Sequence, residues 1–200
     1  MSLIAKKKES IPPVEAGTYA AVCVGVVDLG EQYNEKFKSY NQRVLFIFEV
    51  PSKTIIVDGK EKPRWLSKEV SPSLNEKSTL FQILTSWRGA KLTPEECKEF
   101  DLSKMLGVGC MIQVIVEEKE NGSFNKLTSV IGLPEGIPAP ESKSELLLFD
   151  MDNWKDEAFE KLPLWIQDKI KKSTQYQQEH VVCEKLDFEE QKPAKSGPEF

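Results

Sequence analysis

The side chains most capable of chemistry in this sequence are aromatic and cationic. Tyr33, Phe37 and Tyr40 are interleaved with Lys36 and Lys38 and lead to Arg43. A second group holds Lys62, Arg64, Trp65 and Lys68, and a third holds Lys119, Phe124 and Lys126. Aromatic faces accept stacked bases, and ammonium and guanidinium groups pair with phosphates, so this combination equips a groove for single-stranded nucleic acid. Any one of these residues alone reads equally well as a core aromatic or a solvated lysine. The expectation rests on their coincidence in three separate segments. Trp87 is set apart, because it falls on the apolar stripe Leu80, Ile83, Leu84, Trp87 and is expected in the core.

Catalytic constellations are absent from the sequence. The single histidine, His180, lies in a polar C-terminal stretch, far from any serine or cysteine placed in an ordered element, so base-activated nucleophiles are not expected. No G-x-x-x-x-G-K-[ST] loop is present, and Gly107-Val108-Gly109 precedes a strand pattern and reads as a turn. Asp150 and Asp152 form a D-x-D that could hold Mg²⁺, but the helical pattern that follows favours a cap. Cys23, Cys97, Cys110 and Cys183 are widely spaced with no C-x-x-C pair, which argues against structural zinc. Cys23 and Cys110 sit inside apolar strand patterns, as small hydrophobes do. The expectation is a protein without catalytic activity, cofactor or metal.

The elements that must position the aromatic–cation segments follow from periodicity. Ala16–Leu29, Arg43–Val50 and Arg64–Ser71 read as strands, with Gly25 marking a bulge, Pro51 a stop and Asp58-Gly59 a turn. Gly30 to Gln42 reads as a polar loop. A helix over 76–87 is opened by a Ser73/Glu76 capping box and closed at Gly89. A second box, Thr93-Pro94-Glu95-Glu96, opens a short helix. Cys110–Glu117 and Phe124–Ile131 form a hairpin around Asn121-Gly122. Three strands, a helix and a two-stranded hairpin are the element order of an OB-like five-stranded β-barrel, a mainly β fold. Its strand 2–3 face and its loops are where that fold holds oligonucleotides.

The chain thus divides into an N-terminal arm (1–15), a barrel (16–135), a proline-rich linker (136–145), a helical extension (146–172) and an acidic tail (173–200) expected to be mobile. Pro163 starts the second helix of the extension, with Trp165, Ile166 and Ile170 to bury. The first 140 residues carry 18 cations and 18 carboxylates, and the last 60 carry 9 and 14, so the net charge of −5 resides in the C-terminal part. No apolar run approaches a membrane span and no secretory leader is evident, which predicts a cytoplasmic protein with no membrane partner.

The runs SLNEKSTLFQILTSWRGAKLTPEE, FDLSKMLGVGCMIQVIVEE and FDMDNWKDEAFEKLPLWIQDKIKKS resemble a family of phage and prophage proteins encoded among replication and recombination genes. The S-L-x-E-K-S-x-L and W-R-G signatures carry the likeness, which spans roughly residues 10–172. The resemblance implies single-stranded DNA as partner, together with phage replication or recombination proteins recruited through the C-terminal region. It transfers no catalytic or base-contacting positions. Two functions stand: a single-stranded DNA binder without sequence specificity, or a protein-interaction module docking onto replication or recombination enzymes.

Overall fold

The computed structural model describes residues 11–57, 59–120 and 122–181. Five long strands, β1 (Gly17–Asn34), β2 (Ser39–Val57), β3 (Lys60–Val70), β4 (Gly109–Lys119) and β5 (Gly122–Ile131), form one curled antiparallel sheet in the order β3-β2-β1-β4-β5. Helix α1 (Thr79–Arg88) falls between β3 and β4. The molecule is mainly β, a half-barrel of OB-like form, as the element order predicts. The free edges β3 and β5 approach each other across a seam, bridged where Lys68 Nζ donates to the Leu127 carbonyl at 2.6 Å.

Two apolar cores share the sheet. Inside the curl, Phe46, Phe48, Ile112 and Val130 pack with Leu80, Leu84 and Trp87 of α1. Trp87 contacts both phenylalanines, and its indole N–H donates to the Gly109 carbonyl at 2.9 Å. On the opposite face of β1 and β2, Val22, Val24, Val27, Leu29, Leu45 and Ile47 are covered by the C-terminal segment. There β6 (Leu147–Phe149) pairs in parallel with Gly25–Val27, on the β1 edge that β4 leaves at Val22. Helices α2 (Asp156–Glu160) and α3 (Leu164–Ile170) follow, and Ile166 and Ile170 are fully buried. The near-continuous apolar runs AAVCVGVV and RVLFIF are explained by this burial on both faces.

Gly25 lies at the expected bulge between Cys23 and Gly25, where a Cβ would sit 2.7 Å from the Ile47 side chain. Gly89 closes α1 in the left-handed conformation. Several local expectations are corrected. The helix cap is Ser78, whose hydroxyl accepts from Phe81 N, while the Ser73 carbonyl accepts from the Ser78 hydroxyl. Thr93 and Glu96 do form reciprocal capping bonds, but residues 94–98 make only turns. Asp150 accepts from Asp152 N and Asn153 Nδ2 to close a turn, and α2 is preceded instead by Lys155. Strand β2 continues past Pro51, and the missing proline donor appears as a register break between Val50 and Thr54. Trp165 is 46% exposed, because the buried stripe of α3 runs through Ile166 and Ile170. Packing also continues beyond residue 172: Ser173 is fully buried and caps α4 (Thr174–Tyr176). Asp58, Asn121 and the side chain of His180 lie outside the described residues; β4 and β5 pair as far as Lys119 and Gly122. No helix among the described residues is long and apolar enough to cross a membrane.

Candidate nucleic-acid interface

The first aromatic segment is a strand ribbon where the sequence suggested a loop. β1 and β2 stay paired to the register Tyr33↔Tyr40 and Asn34↔Ser39, so only residues 35–38 turn. Asn34 Oδ1 accepts from the amides of Lys36 and Phe37, and Lys38 completes the turn at φ 47°. Cross-strand partners face the same side, which brings the Tyr33 and Tyr40 rings to 5.1 Å. These tyrosines are 52% and 58% exposed, and Phe37 is 69% exposed. Lys36 lies 5.6 Å above the Phe37 ring.

The C-terminal segment braces this ribbon. Gln175 Oε1 accepts from Glu31 N at 2.8 Å, and Gln175 Nε2 donates to Gln42 Oε1. Gln32 Nε2 donates to the carbonyls of Leu29 and Lys169. Gly30, at a bulge with φ 69°, leaves room for Ser173, whose Cβ is 2.7 Å from where a Gly30 Cβ would stand. Arg43 belongs to the same bracing, with Nη1 donating to Ser71 Oγ at 3.1 Å and Nε 3.8 Å from Glu69. Glu69 in turn pairs with Lys169 of α3 at 2.5 Å.

The second and third segments meet at the seam. A groove of about 710 Å³ is lined by Arg64 and Ser67 on β3 and by Phe124 and Asn125 on β5. Phe124 is substantially exposed, with Lys119 Nζ 5.9 Å from its ring. Lys126 pairs with Glu117, whose carboxyl is held below its usual range chiefly by that bond. Lys68 is half-buried, and burial, followed by repulsion from Lys126, lowers its ammonium pKa. Burial likewise lowers Arg64. The Arg64 guanidinium donates to the Pro12 carbonyl at 3.1 Å, and its buried Nε has no partner among the described residues. Asn125 accepts from Val14 N and donates to Val14 O, as a neighbouring strand would, so residues 11–14 lie along the groove. Asn125 and residues 11–14 carry no aromatic or charged side chain, and periodicity could not have singled them out.

Trp65 is tied to the outer core, unlike Arg64 and Leu66 beside it. It packs with the outer core, and its indole N–H donates to Ser144 Oγ at 3.1 Å and Glu49 Oε2 at 3.4 Å. Glu49 is fully buried and also accepts from Lys143 N at 2.7 Å. This trio fastens the 143–144 segment over β2 and β3. Much of the strand 2–3 face that OB-folds offer to oligonucleotides is therefore covered by the chain itself. What remains open is two stations, the Tyr33–Tyr40 tip and the Arg64–Phe124 seam. They are separated along β2 by the ten residue steps from Tyr40 to Val50, the partner of Arg64, on the order of 30 Å at strand rise. Lys62 is exposed near the β2–β3 turn. Cys23 and Cys110 are buried, and burial pushes the Cys23 thiol up to about 12, so neither is a nucleophile at neutral pH. Among the described residues no cluster of His, Cys, Asp or Glu could hold a metal ion.

The fold thus defines an OB-like half-barrel whose usual binding face is largely covered by its own C-terminal segment. No protein-family model matches the chain, and no curated protein matches it in sequence.

Proposed function

We propose that this protein binds single-stranded DNA without sequence specificity, by stacking bases on exposed aromatics and holding phosphates with neighbouring cations. The observation that carries this reading is the ribbon tip. Tyr33, Phe37 and Tyr40 are each more than half exposed, yet they stand on a ribbon braced by the hydrogen bonds of Gln32, Gln42 and Gln175. Solvated aromatics on a rigid support are ready for a planar partner, because little ordering entropy remains to be lost on binding. Lys36 and Lys38 supply phosphate partners beside them, and the Phe124–Lys119 pair offers a second station of the same chemistry. The resemblance to phage replication and recombination proteins supports DNA as the polymer and phage DNA metabolism as the setting.

Fluorescence anisotropy of labelled oligo-dT tests this. Binding is expected at micromolar concentration or below at low salt, weakening as salt rises through counterion release. Stacking contributes ~1–3 kcal/mol per base. The triple variant Tyr33→Ala, Phe37→Ala, Tyr40→Ala should therefore lose about a hundredfold in affinity while remaining folded. Wild-type affinity in that folded variant would remove the tip from the interface.

A further inference from the structure

A second groove, of about 850 Å³, adjoins the seam groove and shares Ile11, Arg64 and Trp65 with it. Its walls are Ile55, Val57 and Pro63 of the β2–β3 hairpin, Trp65, and Pro163 and Trp165 at the start of α3. Trp65 forms a fixed floor, since its N–H is tied to Ser144 and Glu49. Trp165 is 46% exposed although its helix buries Ile166 and Ile170 completely, so the ring stands at the groove and not in the core. The charged groups at the rim are uneven. Lys62, Arg64 and Lys143 line the groove against Glu61 alone, and Glu61 already accepts from Thr54 Oγ1 at 2.7 Å. Neither Lys62 nor Lys143 has an ion-pair partner among the described residues.

We infer that this groove is a docking site for an acidic peptide segment of a partner protein, which inserts an aromatic side chain between Trp65 and Trp165 and sets its carboxylates on Lys62, Arg64 and Lys143. Charge complementarity selects the sign of the partner, and the aliphatic and indole walls select an apolar or aromatic anchor. A polyphosphate chain is the poorer fit, because it would lay its charges over a floor of isoleucine, valine and proline that cannot solvate them. Lys143 reaches the groove because Glu49 holds its amide, so the buried carboxylate positions one of the three cations. This site is separate from the aromatic tip assigned above to DNA, and it shares Arg64 with the seam groove.

The test uses the full chain and a short fluorescein-labelled peptide with a central phenylalanine flanked by glutamates. Micromolar binding is expected, with about tenfold or greater loss when the phenylalanine becomes alanine or the glutamates become lysines. Trp165→Ala should lose a similar factor and Lys143→Glu more, while both retain wild-type melting because the two side chains are exposed. Oligo-dT affinity should be unchanged in Trp165→Ala. Absence of peptide binding, or binding indifferent to both variants, overturns the proposal. So does an equal loss of oligo-dT affinity in Trp165→Ala, which would give the groove to nucleic acid. Peptide binding seen only after residues 182–200 are removed would also overturn it, by making the chain's own acidic end the occupant.

Discussion

Lys38 is the one non-glycine residue among those described with positive φ, and it sits at the ribbon tip beside the three exposed aromatics. A lysine held there costs about 1 kcal/mol relative to glycine. Lys38→Gly should therefore raise the melting temperature slightly while weakening oligo-dT binding and lowering the slope of log affinity against log salt by about one. A thermal scan and a salt titration separate the two effects; an unchanged slope would mean that Lys38 meets no phosphate. Asp28 offers a different test. Its carboxyl is pushed above the usual range chiefly by burial, opposed by bonds from Gly30 N and Gln42 Nε2 and aided by repulsion from Asp150 and Asp152. The folded state then binds this proton more tightly than the unfolded chain, so stability falls as pH rises from the unfolded value near ~3.9 through the raised folded one. Asp28→Asn keeps an acceptor oxygen and removes the charge. It should melt higher than the parent at pH 7, with the difference closing below about pH 4. A constant difference across that range would show that charge is not the cause.

The C-terminal helices are short, yet they complete the hydrophobic structure of the barrel. Ile166 and Ile170 are fully buried against β1 and β2, so Ile166→Ala should cost about 2–5 kcal/mol in denaturant unfolding. A cost near zero would show that the extension is dispensable. Part of this was legible in the sequence. The strands, α1, the Gly25 bulge and the Gly89 stop all follow from period and glycine chemistry, and together they specify the OB-like order. The unbroken runs AAVCVGVV and RVLFIF also held the signal of burial on both faces, which a simple in–out alternation would have contradicted. The ribbon from Gly30 to Gln42 was hidden because glutamine, asparagine and glutamate favour loops. Its pairing depends on Gln175 and Lys169, more than a hundred residues away. The covering of Trp65 by Ser144 was hidden for the same reason. Of the three aromatic–cation segments, the seam joins two and the third stands at the other end of the sheet. Spacing in sequence carried no information about that separation.

At the scale of the whole molecule, a body of balanced charge offers little long-range attraction, so nucleic-acid affinity must come from local stations. Two stations on the order of 30 Å apart on one rigid sheet make a length test decisive. Oligo-dT of about four nucleotides can engage one station, and about a dozen can reach both. Affinity should then rise in a step, because the second contact forms at an effective concentration near millimolar. A smooth increase, proportional only to the number of registers available, would leave a single station in use.

The parallel pairing of β6 with Gly25–Val27 has a consequence for biosynthesis. The two partners are about 120 residues apart, and translation at ~5–20 residues per second separates their emergence by roughly 6–24 seconds. Throughout that interval a nascent chain would carry the β1 edge unpaired and the outer faces of Leu29, Leu45 and Ile47 uncovered. Messages interrupted before the codon for Phe149 would thus yield adhesive fragments, and β6 acts as a seal on a strand made long before it.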